Sequence, residues 1–80
     1  MIDLKKYKQM NLNEEQLYQI EEGLEEGLDV SIFAKPEFDS SQMGEIRLGL
    51  EKGLDVSAYT SPEYSPEQMR KIRERLEEGK

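Results

Sequence analysis

The chain repeats itself. Gly27-Leu28-Asp29-Val30-Ser31 returns unchanged, 26 residues later, as Gly53-Leu54-Asp55-Val56-Ser57. Gln16-Leu17 recurs as Gln42-Met43 and again as Gln68-Met69. The N-terminus keeps the same register: Ile2-Asp3-Leu4 with Tyr7 stands where Leu28-Asp29-Val30 with Phe33, and Leu54-Asp55-Val56 with Tyr59, stand later. Three units, 1–26, 27–52 and 53–78, account for nearly all of the 80 residues, which are read as a single domain 1–80. A period of roughly 20–50 residues marks stacked supersecondary units, which usually serve as surfaces rather than catalysts.

Within each unit, local chemistry places a helix. Asn13, Asp39 and Ser65 fall on the repeat, and each is a good N-cap whose side-chain oxygen accepts a free backbone amide. Gln16, Gln42 and Gln68, three residues on, complete capping boxes. Leu12, Phe38 and Tyr64 precede the caps and pair with Leu17, Met43 and Met69 as hydrophobic staples, while Pro66 takes the first helical position. Gly27, Gly53 and Gly79 stand where a left-handed residue closes a helix. The spacing predicts helices over 14–26, 40–52 and 66–78, each with one apolar stripe: Leu17, Ile20, Leu24; Met43, Ile46, Leu50; Met69, Ile72, Leu76. Between them, Asp3, Asp29 and Asp55 are placed to cap short helical turns running to Tyr7, Phe33 and Tyr59, and Pro36 and Pro62 push the chain into extended geometry. Gly23 and Gly49 share a slot inside the first two long helices and imply close approach of another backbone, which Arg75 alters in the third. The fold expected is all-α: a compact three-unit helical repeat stack with short helical turns in its loops.

Composition narrows function by exclusion. With no histidine, cysteine or tryptophan, imidazole chemistry, thiolate metal sites and nucleophile–base triads are out of reach, and no enzyme, cofactor or metal is expected. Adjacent carboxylates such as Glu21-Glu22 and Glu25-Glu26 diverge by about 100° around a helix and read as solvated surface. No run of about 18 apolar residues suggests a membrane span, no signal-peptide pattern opens the chain, and the lack of cysteine suits a reducing, cytoplasmic setting. The net charge is −7, concentrated in residues 13–38, where eight acidic side chains face Lys35 alone. Nucleic acid is not an expected partner, because Glu67, Glu74, Glu77 and Glu78 largely neutralise the basic Arg70–Arg75 stretch.

Positions that break the repeat are the candidates for contact with a protein partner. One slot holds Tyr18, Gly44 and Arg70; four residues on, another holds Glu22, Leu48 and Glu74. These slots point away from the apolar stripe, so Tyr18 and Leu48, with Glu22 and Glu25 beside them, form a candidate contact face. Gly44 leaves a gap between them, and the alternative is a thicker stack with Tyr18 and Leu48 in its core. A second reading is an acidic inhibitor or DNA mimic, built on Glu14, Glu15, Glu21, Glu22, Glu25 and Glu26. Charge at both ends favours a monomer.

The segment Gln42-Met43-Gly44-Glu45-Ile46-Arg47-Leu48-Gly49-Leu50-Glu51-Lys52-Gly53-Leu54-Asp55-Val56-Ser57-Ala58-Tyr59 resembles a short tandem repeat of uncharacterised proteins from Gram-positive gut bacteria, often encoded among mobile or conjugative elements. The resemblance covers essentially the whole chain. Unit one departs from it with Glu21 where the repeat favours arginine, and unit three breaks off before another Leu-Asp-Val-Ser. It implies an accessory interaction role in a bacterial cytoplasm and supplies no catalytic or binding residues.

Overall fold

Asn13, Asp39 and Ser65 sit in extended backbone, and each side chain accepts the amide of the glutamine three residues on. Each glutamine returns the bond to the cap's own amide, so three complete capping boxes start three long helices. The computed structural model describes residues 4–79. The elements in order are α1 (Lys5–Lys8), α2 (Glu14–Glu25), a 3-10 turn (Val30–Ile32), α3 (Ser40–Glu51), a second 3-10 turn (Val56–Ala58) and α4 (Pro66–Glu78). Among the described residues there is no strand, and no helix is long and apolar enough to cross a membrane.

The first two long helices end as their glycines require. Gly27 and Gly53 take φ of +75° and +70°. The amides of Leu28 and Leu54 reach back to the carbonyls of Gly23 and Gly49 (2.9 and 3.0 Å), and those of Gly27 and Gly53 reach Leu24 and Leu50 (3.1 Å each). This is the paired closure of a Schellman motif. Gly79 corrects the sequence reading: its φ is −78°, and it closes α4 as an ordinary right-handed cap bonded to the Arg75 carbonyl. At Gly27 and Gly53 the left-handed form lets the following leucine fold back on the last turn.

The intervening segments are folded rather than extended. Asp29 and Asp55 cap their 3-10 turns through Oδ1, accepting the Ser31 and Ser57 amides (3.2 Å each) and hydroxyls (2.5 and 2.6 Å). Those bonds, the hydroxyl's first, hold the Asp55 carboxyl below its usual range. Asp3, expected to act likewise, lies outside the described residues, and Leu4 starts α1 with no side-chain bond. Pro36 and Pro62 do not extend the chain. The amides of Phe38 and Tyr64 bond the carbonyls of Lys35 and Ser61 (3.1 Å each), closing turns with each proline at the second position, where its fixed φ fits.

α2 packs on α3 and α3 on α4, with the short turns forming a second layer beneath. The core between the layers is Ile20, Val30, Phe33, Ala34, Phe38, Met43, Ile46, Val56, Tyr59 and Met69. Gly23 and Gly49 admit the second layer. A Cβ at Gly23 would stand 2.7 Å from Val30 Cγ1 and 3.1 Å from Phe33 Cζ. One at Gly49 would stand 2.6 Å from Val56 Cγ1 and overlap the Tyr59 hydroxyl. The close approach expected here is therefore made by side chains, not by backbone. The same slot in α4 holds Arg75.

Candidate contact surface

The outer side of α2 is set by helical spacing. Tyr18, Glu22 and Glu25 stand at i, i+4 and i+7, roughly opposite the buried Ile20. Tyr18 is 53% exposed, the most exposed large hydrophobic residue described. Glu25 is exposed and Glu22 half-buried. Leu48 holds in α3 the position that Glu22 holds in α2; it is half-buried and does not belong to the core cluster. Both apolar residues therefore lie outside the core, Tyr18 fully at the surface and Leu48 partly covered.

Gly44 is not an empty gap. A Cβ there would be 3.5 Å from Gln19 Oε1, so the half-buried Gln19 side chain fills the space between Tyr18 and α3. Gln19 is held by Arg47, whose Nε donates to its Oε1 at 2.8 Å. Arg47 also pairs with Glu26, the C-cap of α2, at 3.5 Å and with Glu51 on its own helix. Burial and the neighbouring Glu26 carboxylate raise the Glu51 pKa, against the pull of Arg47. Beside this network Glu14, Glu15, Tyr18, Gln19 and Ser40 line an open groove of about 310 Å³ at the N-terminal turns of α2 and α3. With a phenol, an amide, a hydroxyl and carboxylates, the groove can offer hydrogen bonds and one aromatic face; no group here is positioned as a nucleophile with a base. Among the described residues no cluster of carboxylates gathers as a metal site would require.

Sequence reasoning missed two sets of residues that hold this surface in place. Arg73 repeats the role of Arg47 one helix on, donating from Nε to Glu45 Oε1 at 3.0 Å and pairing with Glu77. Burial alone would lower the Arg73 pKa, but the Glu45 and Glu77 carboxylates raise it. The signal was present as arginine at 47 and 73, each 28 residues after an acceptor at 19 and 45. Gln16 and Gln42 do more than complete capping boxes. Their buried Nε2 atoms donate to the Phe38 carbonyl (2.6 Å) and to the Pro62 and Tyr64 carbonyls (3.1 and 2.7 Å). Glutamine rather than glutamate in this slot was the available sign, since only the amide can donate.

No family model matches the chain, and no curated protein or solved structure is significantly similar to it.

Proposed function

We propose that the chain is a three-unit helical stack, with units 1–26, 27–52 and 53–78, acting as a small non-catalytic protein-interaction module. Its contact face is the outer side of α2 and α3, with Tyr18 as the aromatic anchor, Leu48 as a partly covered apolar neighbour, and Glu22 and Glu25 as a charged rim. The observation that carries the reading is the exposure of Tyr18, 53%, on a helix whose buried residues, Gln16, Ile20 and Gly23, do not include it. Aromatic side chains are enriched at the centres of protein interfaces because they bury large area at small cost in conformational entropy. The resemblance noted above is the support for reading such a module as part of a bacterial accessory or mobile-element system, acting in the cytoplasm.

The charge of α2 supports a second reading, an acidic inhibitor or DNA mimic. Glu14, Glu15, Glu25 and Glu26 are exposed, with Glu21 and Glu22 half-buried beside them. Affinity capture with the wild-type chain and with Tyr18→Ala and Leu48→Asp separates the two, each variant first checked for an unchanged helical spectrum. A partner retained at about 1 M salt, where the Debye length is about 3 Å, and lost with either variant fits the apolar face. A DNA-binding partner released by salt and kept by both variants fits the mimic. Binding unaffected by both variants and by salt would sink both readings.

A further inference from the structure

The outward sides of α2 and α4 are not equivalent to the sides that meet inside the molecule, and their differences match one another. At the α2–α3 and α3–α4 junctions, Gln19 or Glu45 on one helix accepts from Arg47 or Arg73 on the next. In the same 26-residue register, the acceptor slot on α4 holds Lys71 and the arginine slot on α2 holds Glu21. Both charges are inverted together, so the pair is complementary again. Lys71 is two-thirds exposed and only loosely paired with Glu67 at 3.9 Å.

Two further observations follow the same register. Met43 and Met69 are fully buried, whereas Leu17 in their slot on α2 is half-buried and lies outside the core cluster. Ile20 and Ile46 are fully buried, whereas Ile72 in their slot on α4 is half-buried. Each of these two helices therefore shows apolar surface on its outward side that a neighbouring helix covers elsewhere. Gln68 is exposed, while Gln16 and Gln42 each donate to a carbonyl 22 residues on. The carbonyl in the corresponding place on a second copy is that of Leu12.

We infer that the outward side of α4 receives the outward side of α2 from a second copy of this chain, head to tail. Lys71 pairs with Glu21 of that copy, Ile72 and Leu17 cover one another, and the Gln68 amide donates to the Leu12 carbonyl. This surface adjoins Tyr18, which holds on α2 the slot where Gly44 meets Gln19, and it extends the interfaces already formed between α2, α3 and α4. One residue keeps the contact weak. Arg75 stands in the slot of Gly23 and Gly49, where even a Cβ would crowd the next segment. The second copy's Leu4–Tyr7 segment therefore cannot seat as closely as residues 30–33 and 56–59 do. The chain's net charge of −7 also opposes the contact at low ionic strength, so association rises as salt approaches 0.15 M, where the Debye length is about 8 Å.

The test is sedimentation equilibrium of the whole chain at about 0.15 M salt. The wild-type mass is expected to rise above 9.3 kDa with a dissociation constant on the order of 1 mM, and Arg75→Gly to tighten it about tenfold. Lys71→Glu and Glu21→Lys are each expected to abolish the rise while keeping the helical spectrum, and the double variant to restore it. A single mass for both wild type and Arg75→Gly up to several millimolar, on the scale set by that constant, overturns the inference, as does a double variant that stays monomeric when wild type associates.

Discussion

The α2–α3 and α3–α4 junctions use the same geometry with different chemistry. In the first, Gly23 faces Val30 and the apolar Phe33, and Arg47 is answered by the neutral amide of Gln19. In the second, Gly49 faces Val56 and Tyr59, whose hydroxyl donates to the Glu45 carbonyl at 2.8 Å, and Arg73 is answered by the Glu45 carboxylate. The second junction thus adds a buried hydroxyl and answers the arginine Nε with a carboxylate, where the first uses the Gln19 amide with Glu26 farther off at 3.5 Å. The difference shows that the packing register is set by shape, the glycine opposite an aromatic ring, while the polar links can vary in kind.

Substituting the two glycines tests that claim with the largest expected effect. Gly49→Ala drives a methyl group into both Tyr59 and Val56 and is expected to cost about 3 kcal/mol by overpacking, well beyond the helix-propensity gain of about 1 kcal/mol. Gly23→Ala meets the softer Val30 and Phe33 contacts and is expected to cost about 2 kcal/mol or less. In a Tyr59→Phe background the second junction becomes like the first, and the cost of Gly49→Ala should fall to that of Gly23→Ala. Urea unfolding of the four variants measures this, and equal costs in both backgrounds would break the comparison.

Tyr59→Phe alone removes a satisfied buried bond and leaves the Glu45 carbonyl its helical partner, so a loss of about 1 kcal/mol is expected. It also supplies a pH test that the first junction lacks. Burial pushes the Tyr59 pKa up to about 12 from an ordinary 10. A group whose pKa is raised on folding contributes stability that is fully present below its unfolded value and lost as pH rises through its folded value. Melting temperature should therefore fall between about pH 10 and pH 12, and Tyr59→Phe should flatten part of that fall. Tyrosinate absorbance would show one of the tyrosines ionising late, and an unchanged alkaline slope in the variant would contradict the assignment.

Smaller effects sharpen the polar side of the comparison. Glu45→Gln makes the second junction resemble the first, and a loss of about 0.5 kcal/mol is expected, reduced in high salt because the pair is partly solvated. Gln19→Glu in the first junction should gain by a similar amount, and a loss there would show that Glu26 and Glu51 already saturate Arg47. Tyr18→Ala should leave unfolding stability within about 0.5 kcal/mol, as an exposed residue without a packing role requires. A larger drop would make Tyr18 part of the fold and remove the basis for the proposed contact face.

What could be read in the sequence was whatever is decided within a few residues. The helix starts at 14, 40 and 66 were legible because an N-cap, its box partner and its staple all lie within six residues of chain. The left-handed closures at Gly27 and Gly53 were legible for the same reason, while Gly79 shares the residue type but takes φ −78°. Long-range partners were not legible. The glycine slots announced a close approach, but the approaching atoms, in Val30, Phe33, Val56 and Tyr59, depend on how the second layer meets the first. Of the contact face, the exposure of Tyr18 was legible from its angle on the helix. The partial cover of Leu48 and the filling of the Gly44 space by Gln19 depend on the neighbouring helix.

The amides of Gln16 and Gln42 carry a consequence for motion. Each binds its own helix start through Oε1 and a carbonyl in the next connecting segment through Nε2. A helix end ordinarily frays alone, one turn opening and closing on its own. Here the first turn of α3 cannot unwind without releasing residues 62–64, and the start of α4 follows directly from them. Opening at one helix start is thus shared along the chain, and slow-exchanging amides near Gln42 and near Tyr64 should report a single common event.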